Sequence, residues 1–400
     1  MDKRIIRKEY MGRLRSVKGL TDTVKIITGI RRCGKTTVMK QFAEELCSEG
    51  VPEGDVIYMN FEIMENDFED HKAFHAAISK RLGGGRKYVF LDEVQMIKGW
   101  EKAVNSIRVE YECDIYITGS NAFLLSSELA TLLGGRTFEI HMLPLSFKEF
   151  LMINPSDGTY SGLEERYDQY ARLGSMPMFN VTMEQTLIRE AVRNLVSRII
   201  THDIAPRSEI RDMNAMNRIL AFIMDNAGNI VNPSMIAKEL RMSNQKLVSA
   251  YLSLLERAYL ICGVKRFDIT GKKLLKTNEK YYCTDPGMRS ALIGYERKDV
   301  GRVLENIVYL ELIRRGYDVT TGEIGGKEVD FIAVKGSDIR YYQVAQTLVG
   351  TAENKYAGLR AIRDNYPKTL ITADRTVSDG ENGIREQNYL DFLLGPNPNT

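Results

Sequence analysis

The chain has 400 residues, which at roughly 150 residues per domain predicts two or three domains. Hydrophobic residues make up 44% of it and charged residues 27%, a composition that excludes a disordered or fibrous chain. The 55 basic and 53 acidic residues leave a net charge of +2, so the protein as a whole is not a nucleic-acid-binding polycation. Residues 201–300 nevertheless carry a local excess of +5, with 16 basic and 11 acidic residues.

Targeting and redox signals are sparse. No run of about 18 apolar residues is present, so we expect no membrane-spanning helix. The basic start of the chain leads into no apolar stretch with a cleavage site, which predicts no export. The five cysteines are scattered and form no Cys-x-x-Cys pair. This pattern is typical of a protein in the reducing cytoplasm that has neither disulfides nor a zinc site.

Strand and helix patterns alternate over the first 145 residues. Apolar, β-branched segments predict strands at 24–30, 56–61, 87–92, 114–118 and 137–143. Amphipathic segments between them predict helices at 35–48, 70–82, 100–111 and 122–133. Alternation at this spacing predicts an α/β fold, a doubly wound parallel sheet with helices on both faces.

The remaining patterns define further parts of the chain. Residues 146–206 are mainly helical in pattern, and residues 213–283 predict three helices followed by two short strands. An amphipathic helix at 302–316 precedes strands near 318–321, 328–334 and 340–345. We therefore predict a first domain at 1–206, with a core at 20–145 and a helical region at 146–206. A second domain at 207–290 and a third at 291–400 follow.

The first strand leads into a phosphate-binding motif. Residues Gly29 to Thr36 match G-x-x-x-x-G-K-[ST] between a predicted strand and a predicted helix. Glycines let consecutive backbone N–H groups face phosphate oxygens, and the helix N-terminus adds partial positive charge. Lys35 is expected to neutralise the β- and γ-phosphates of ATP, and Thr36 to place its hydroxyl on Mg²⁺. The predicted ATP-binding set is Gly29, Arg32, Cys33, Gly34, Lys35, Thr36 and Thr37. Alternatively, Arg32 lies on a solvated or domain-bridging surface and does not contact phosphate.

Two carboxylates follow a later buried strand. The apolar run that ends at Leu91 delivers Asp92 and Glu93 to the edge where open α/β sheets bind ligands. Asp92 is expected to hold Mg²⁺, and Glu93 to orient and polarise the attacking water. The next strand ends in polar residues, of which Asn121 or Ser120 is expected to bond the γ-phosphate or this water. The alternative for these two residues is a helix N-cap.

These motifs together resemble the AAA+ branch of P-loop ATPases. Within it, they are similar to a bacterial and archaeal group in which an AAA ATPase domain is joined to a C-terminal domain of uncharacterised function. The stretches that carry the resemblance are Gly29–Thr36, Leu91–Gln95, Thr118–Asn121, Gly135-Arg136, Pro144–Phe150 and Gly174–Pro177. The resemblance covers almost the entire chain and implies the sheet order 5-1-4-3-2. It also implies a role for Arg136 as a cis sensor or a trans arginine finger; the alternative is an ion pair at the domain edge.

The helices of residues 207–290 suggest a winged helix. Three helices followed by two strands around a turn at 270–272 are typical of a helix-turn-helix with a wing. The third helix offers a thin base-reading surface, whereas the wing is basic. Its cations are Lys265, Arg266, Lys272, Lys273 and Lys276. Such a cluster predicts sequence-tolerant contact with DNA phosphates. The alternative is a module that only packs against other parts of the protein.

The C-terminal part resembles the restriction-endonuclease-like fold. That fold carries an acid on a helix, an aspartate on one strand and Glu/Gln-x-Lys on the next, and Glu305, Asp330 and Gln343 match these positions. Ala345 stands where the lysine is expected, so hydrolysis by the usual route is doubtful. Lys327 and Lys335 are cations near this motif in sequence, but no pattern directs either into the site. We expect a degenerate domain that binds nucleic acid or a partner; the alternatives are a purely structural role and an active nuclease.

The sequence thus predicts a Mg²⁺-dependent ATPase whose nucleotide state controls a winged helix and a degenerate nuclease-like domain. Its expected ligands are ATP, ADP and Mg²⁺, with DNA or a protein as partner and no membrane contact. The alternative is a slowly hydrolysing nucleotide switch that regulates a protein partner without DNA. The oligomeric state stays open.

Overall fold

The protein is described from a computed structural model. It describes residues 5–120, 133–178, 184–207, 212–275, 278–296, 299–349, 352–377, 380 and 382–395. The chain forms two compact units. Unit 1 consists of Met1–Pro144 and Arg257–Tyr259, and unit 2 consists of Leu145–Glu256 and Leu260–Thr400. The domain boundaries predicted after residues 206 and 290 both fall within unit 2 and stay predictions.

Unit 1 is built on a five-stranded parallel sheet. Its strands are β1 (Val24–Thr28), β2 (Val56–Asn60), β3 (Lys87–Asp92), β4 (Cys113–Gly119) and β5 (Thr137–His141). Their order is β2-β3-β4-β1-β5, and every pairing is parallel. This is the expected order 5-1-4-3-2, so that prediction is confirmed.

Helix α1 (Lys8–Ser16) precedes the first strand. Three helices lie between strands: α2 (Lys35–Ser48), α3 (His71–Ser79) and α4 (Trp100–Glu110). The helix predicted at 122–133 lies largely outside the described residues. Strands β1, β3 and β4 are buried along their whole length, which explains their continuous apolar runs. The apolar side chains of β3 and β4 pack with those of α3 and α4 in one core.

The first strand ends earlier than predicted. We expected it to reach residue 30, but β1 ends at Thr28 because Gly29 adopts φ +141° and turns the chain. A Cβ atom on Gly29 would lie 2.1 Å from the carbonyl oxygen of Met142, so only glycine fits there. Since all five strands are parallel, their carboxyl ends meet at one edge of the sheet. The segments after β1, β3 and β4 therefore share that edge.

Unit 2 begins with helices. They are α5 (Phe147–Ile153), α6 (Tyr160–Leu173), α7 (Gln185–Arg198) and a π-helical stretch at Ile199–Ile204. The stretch from Gly174 to Pro177 is fixed by Asp285, whose carboxylate accepts from the Ser175 backbone N–H at 2.6 Å and hydroxyl at 2.7 Å. A Cβ on Gly174 would lie 2.1 Å from Asp285 Oδ1. This motif therefore has a packing role.

Three helices and a small sheet follow. The elements are α8 (Met213–Asp225), β6 (Ile230–Val231), α9 (Pro233–Glu239), α10 (Gln245–Arg257), β7 (Ile261–Val264) and, further along, β10 (Glu279–Cys283). Strand β10 pairs antiparallel with both β6 and β7. Asn232 caps α9 by accepting from the Met235 N–H, with Pro233 at the first helical position. Helix α10 buries Val248, Tyr251, Leu252 and Leu255, whereas Leu247, which its hydrophobic pattern also assigns to this face, is only half-buried.

A seven-stranded sheet forms the rest of unit 2. Its strands are β8 (Arg266–Asp268), β9 (Lys273–Leu274), β11 (Asp318–Ile324), β12 (Lys327–Lys335), β13 (Asp338–Ala345), β14 (Lys368–Thr372) and β15 (Ile384–Asn388). The order is β15-β14-β13-β12-β11-β8-β9. The helices are α11 (Pro286–Ile293), α12 (Val300–Arg314), α13 (Ala352–Ala361) and α14 (Tyr389–Leu394). None of the helices in the described ranges is long and apolar enough to span a bilayer.

The hairpin predicted as the wing of the winged helix pairs with a different sheet from the one expected. Strands β8 and β9 do pair around the predicted turn, but β8 also pairs in parallel with β11. The hairpin is therefore an edge of the seven-stranded sheet, and β10 completes the three-stranded sheet instead. The sequence prediction was wrong here because the hydrophobic pattern of a two-residue or three-residue strand does not specify its neighbour.

Candidate functional site

The loop after β1 is shaped by left-handed residues. Gly29, Arg32 and Gly34 have φ values of +141°, +68° and +104°. Gly34 is also the N-cap of α2, so the loop runs directly into a helix N-terminus. Left-handed turns of this kind bring successive backbone N–H groups together into a concavity that binds anions, and the helix dipole adds to the effect. The loop has the backbone geometry of a phosphate site.

Lys35 places its ammonium inside this loop. Its side chain is 3% exposed, and Nζ donates to the carbonyl oxygens of Gly29 at 2.9 Å and Ile30 at 3.2 Å. The nearest carboxylate oxygen, Oε1 of Glu93, lies 3.9 Å away. Neutral acceptors therefore hold most of the contacts of this cation, which leaves its charge available for an anionic ligand.

Asp92 is buried and is satisfied by neutral donors. Its Oδ1 accepts from the hydroxyls of Thr118 at 2.6 Å and Thr36 at 3.1 Å. Its Oδ2 accepts from the Tyr58 hydroxyl at 3.0 Å and the Asn60 amide at 3.2 Å. Burial raises the pKa of Asp92 above its ordinary value, and the hydrogen bonds from Thr118 and Thr36 oppose that rise.

Glu93 is held in an unusual backbone conformation. Its φ of +56° is left-handed, and its N–H donates to Thr118 Oγ1 at 2.9 Å. Gln95 donates to its Oε2, while its Oε1 faces Lys35. Thr118 thus joins the two acids, because one hydroxyl accepts from the Glu93 backbone and donates to Asp92. A non-glycine residue in this conformation costs energy and is typical of functional sites.

Strand β5 places His141 and Glu139 beside the end of β1. Thr28 pairs with His141 in register, and its hydroxyl donates to Glu139 at 2.7 Å and lies 3.3 Å from His141 Nδ1. Burial, followed by the positive charges of Lys35 and Arg13, lowers the pKa of His141 to about 4. The half-buried imidazole is therefore neutral at pH 7.

The donor set fits a magnesium ion that is shared with phosphate. Thr36 and Asp92 lie within one hydrogen bond of each other and supply oxygen ligands. In the described part of the chain, no group of three or more His, Cys, Asp or Glu side chains is arranged to hold a metal alone. Mg²⁺ in nucleotide sites takes few protein ligands and completes its shell with phosphate and water. The residues present match that pattern.

Comparison with known proteins agrees with this geometry. Residues 21–151 match the family model of an AAA domain, and residues 164–299 match a domain of unknown function (DUF8612). A Haemophilus influenzae protein, described only as uncharacterized, is 38% identical over 400 residues and 98% of each chain. This chain belongs to the same family.

Two further proteins are similar to this chain at lower sequence identity. An uncharacterized protein of Methanocaldococcus jannaschii is 29% identical over 369 residues, which are 87% of this chain and 80% of that one. The solved structure of the Aeropyrum pernix ORC1 protein in complex with DNA is 15% identical, covers 72% of this chain and 93% of that chain, and has a TM-score of 0.30. A score so low informs neither fold nor function. The assignment of the AAA domain depends on the family model and on the parallel sheet.

The structure brings most of the predicted site residues together within the AAA domain. Lys35, Thr36, Asp92 and Glu93 are connected directly or through Thr118. Cys33 is buried, and burial raises the pKa of its thiol. The side chains of Arg32 and Thr37 are exposed. Ser120 is buried after β4, and Asn121 lies outside the described residues.

Arg136 lies away from these residues. It precedes β5, whereas the phosphate loop follows β1, and Val24 pairs with Thr137 at the amino ends of the two strands. Its guanidinium lies 3.4 Å from Asp22 and is half exposed. Arg136 is therefore at the opposite edge of the sheet from Lys35, a position that does not suit a cis sensor in this chain. A trans role stays a prediction.

Sequence reasoning missed several contacts of the site. The buried guanidinium of Arg7 donates to the carbonyl of Cys33 in the loop at 3.1 Å, and to Leu143 and Pro144 at 2.8 and 3.0 Å. No local pattern marks Arg7, because its acceptors are distant in sequence. Asn60 and Thr118, however, are polar residues at or near strand ends. The order 5-1-4-3-2 places β2 and β4 on either side of Asp92, so both were predictable.

Proposed function

We propose that the chain binds ATP with Mg²⁺ and hydrolyses it. The observation that carries the proposal is the assembly of Lys35, Thr36, Asp92 and Glu93 at the carboxyl edge of the sheet, with Thr118 joining the two acids. A buried lysine in a left-handed loop, beside a buried aspartate, is suited to phosphate and magnesium and to few other ligands.

Each residue has a distinct part in this activity. Lys35 exchanges its bonds to the Gly29 and Ile30 carbonyls for phosphate oxygens, at little cost because both are neutral acceptors. Thr36 and Asp92 hold the magnesium ion, which supplies positive charge to the phosphates when bound. Glu93, fixed by Thr118 and Gln95, takes the position of the group that orients and polarises water. Four neutral donors hold Asp92, and the hydrogen bonds from Thr118, Thr36 and Tyr58 lower its pKa against the rise caused by burial.

The substitution Glu93→Gln tests the proposal. The amide keeps the size of the side chain but loses the charge that polarises water, while Asp92 and Lys35 remain. We expect ATP affinity within about threefold of the unmodified protein and turnover lower by about 100-fold or more. Glu53→Gln, at an exposed acid on the same unit, is the matched control. Turnover close to normal in Glu93→Gln would place the base elsewhere.

We further propose that the three-helix module of unit 2 is a winged helix. Its order of helix, strand, helix, helix and two strands, with the antiparallel sheet β6-β10-β7, supports this. Lys265, Lys272 and Lys273 are exposed, whereas Arg266 is paired with Glu323; Lys276 lies outside the described residues. DNA phosphates are the proposed ligand of the exposed lysines.

The third helix itself argues against base reading. A cavity of about 390 Å³ beside α10 is lined by Glu256 and Glu279 together with Ser249, Ser253 and Asn278. Burial and the charge of Glu279 raise the pKa of Glu256. Carboxylates on this face repel the DNA backbone, so contact through the β8–β9 hairpin is expected to show little sequence preference.

The C-terminal sheet supports a degenerate nuclease-like domain. Glu305, Asp330 and Gln343 lie on α12, β12 and β13, the elements on which the resemblance expects them. Ala345 is buried at the position of the missing lysine, so we propose binding of nucleic acid or a partner rather than cleavage. We also infer a cytoplasmic location from the five free cysteines.

One experiment separates this activity from a nucleotide switch without DNA. ATP turnover is measured with and without duplex DNA, beside native mass measurement in each nucleotide state. Stimulation by DNA supports the DNA-coupled ATPase. A tightly retained nucleotide, slow turnover and indifference to DNA would instead support the switch that acts on a protein partner.

A further inference from the structure

A lysine from the three-stranded sheet lies among carboxylates of the seven-stranded sheet and its helix. Lys280, on β10, has a side chain that is 3% exposed. Its Nζ lies 2.9 Å from Glu305 Oε1 on α12 and 3.6 Å from Asp330 Oδ1 on β12, and it is also paired with Glu328 on β12. Three acids from two elements thus converge on one ammonium group. The cations close in sequence do not take part: Lys327 is exposed and Lys335 donates to the Arg315 carbonyl.

The other donors of the cluster are neutral and fix the acids in place. Tyr282, two residues after Lys280 on β10, donates to Glu305 Oε1 at 2.7 Å. Gln343 donates to Asp330 Oδ2 at 2.7 Å, and the Val344 N–H donates to the same oxygen at 2.8 Å. Glu305 and Asp330 are therefore each bonded to a neutral donor. Glu328 is instead partly open to solvent, with 42% of its side chain exposed.

An ammonium suits this position better than a divalent ion. It has three donors and no acceptor, which matches three carboxylates. Oxygens at 2.9 and 3.6 Å are at hydrogen-bond and ion-pair distances from the nitrogen. No metal-holding group of acids is found among the described residues. Glu328 leaves the cluster open to water, so burial alone does not keep a metal out.

We propose that the Lys280 ammonium is the resident cation of the Glu305–Glu328–Asp330 cluster and excludes a divalent metal from it. Glu305 and Asp330 match acids of the nuclease-like resemblance, and a side chain of the neighbouring sheet lies between them. The same ion cluster ties β10 to α12 and β12. Burial, followed by the charge of Glu305, raises the pKa of Asp330 to about 7, and the charges of Lys280 and Lys355 oppose that rise. The proposal does not depend on the ATPase activity of unit 1.

Metal uptake tests the proposal directly. Mn²⁺ binding is followed by electron paramagnetic resonance on the nucleotide-free full chain, in an Asp92→Asn background that removes the magnesium ligand of unit 1. With Lys280 in place we expect no Mn²⁺ at the cluster. Lys280→Met should take up one Mn²⁺ per chain, and adding Glu328→Gln should abolish that uptake. Lys327→Met, on the same strand as Glu328 but exposed, is the control and should bind none.

Two results would overturn the proposal. Mn²⁺ uptake with Lys280 intact that disappears in Glu328→Gln would show that the cluster holds a metal beside the lysine. A folded Lys280→Met protein that takes up no Mn²⁺ would show that the acids do not form a metal position. Neither result bears on ATP hydrolysis, which is measured separately.

A stability cycle gives a second test in case Lys280→Met is too unstable for the metal-binding measurement. The urea midpoint is compared for the unmodified chain, Lys280→Met, Glu305→Gln with Asp330→Asn, and all three changes together. If Lys280 acts as the cation, neutralising the two acids should lower the midpoint when lysine is present and raise it when lysine is absent. Equal shifts in both backgrounds would show that Lys280 contributes only its apolar stem, and the proposal would fall.

Discussion

The two units each carry buried acids with a lysine close by, and they use the lysine differently. In unit 1, Lys35 donates to backbone carbonyls and stays 3.9 Å from Glu93, while hydroxyl and amide groups satisfy Asp92. In unit 2, Lys280 lies 2.9 Å from Glu305 and also pairs with Glu328. The residue types are similar, but the first site keeps its charges separate and the second neutralises them internally.

The groups that donate to a carboxylate determine whether it can bind a ligand. A carboxylate satisfied by neutral donors keeps its charge for a ligand, whereas one bonded to ammonium has little electrostatic free energy left to bind a metal. Accordingly, we expect changes at the first site to affect nucleotide binding and those at the second to affect stability.

The largest expected effect is that of Lys35→Ala. Removing the buried ammonium leaves the phosphate charge without its main partner, so ATP affinity should fall by about 100-fold or more. Isothermal titration with ATP and Mg²⁺ measures it, and Lys102→Ala, an exposed lysine on α4, is the control. Equal affinity in the two variants would end the assignment of the phosphate loop.

Thr118→Val tests the neutral donor of the first site. The isosteric change leaves Asp92 Oδ1 with one donor fewer and the Glu93 N–H without its acceptor. The free energy of unfolding should fall by about 1–3 kcal/mol, and ATP turnover by about tenfold or more. Urea unfolding and steady-state turnover measure these effects, with Thr137→Val on β5 as the control. Normal turnover would mean that Thr118 does not position Glu93.

The pH dependence of stability tests the neutral His141. Its pKa of about 4 in the folded chain lies below the ordinary value near 6.5, so the unfolded chain takes up the proton first as pH falls. Its contribution is intact above pH 6.5 and is lost between about 6.5 and 4, with a slope of at most about 1.4 kcal/mol per pH unit.

Urea unfolding between pH 7.5 and 5 measures this dependence. The difference between the unmodified chain and His141→Gln should be constant above pH 6.5 and shrink below it. His202→Gln, at an exposed position, is the control and should leave the pH profile unchanged. A difference that does not vary with pH would contradict the buried, neutral imidazole.

Gln343→Leu is the counterpart of Thr118→Val in the second site. Asp330 Oδ2 loses the Gln343 amide and keeps only the Val344 N–H. We expect a loss of about 1–2 kcal/mol in the free energy of unfolding, with ATP affinity unchanged. The exposed Gln346→Leu is the control. A change in ATP affinity would show that the two sites are coupled and would break the comparison.

The smallest effect concerns Lys272 and Lys273, the exposed lysines of the β8–β9 hairpin at the edge of the seven-stranded sheet. Reversing Lys272 and Lys273 to glutamate should weaken DNA binding about equally across unrelated sequences. The slope of log affinity against log salt should become shallower by about two units. The control is the same reversal of Lys238 and Lys246, which border the turn between α9 and α10. A larger effect from that pair would move the contact to the helices.

Much of unit 1 could be predicted from sequence because its signals are local. Buried parallel strands are continuous apolar runs, and the motif from Gly29 to Thr36 specifies a loop and a helix start. Asp92 and Glu93 were found because a buried strand delivers them to the ligand edge. In unit 2, the capped helix after Asn232 and the buried face of α10 were also predictable from local pattern.

Contacts between distant segments could not be predicted in this way. The chain pattern gave no indication that β8 would pair with β11, that Arg7 would bond to Cys33, or that Arg136 would lie at the far edge of the sheet from Lys35. Strands β14 and β15 and helices α13 and α14 were not predicted either.

The parallel sheet, the phosphate loop and the paired acids were predictable from the sequence alone, because hydrophobic period and motif spacing act over a few residues. The pairing of each cation with its acid emerged only when distant segments packed together. Lys280 is 25 residues from Glu305 in the chain and lies on a different sheet from Asp330, yet folding places its ammonium between them. The energy of an ion pair depends on the distance between its charges in space. For residues on different sheets, that distance is set only when the sheets pack together.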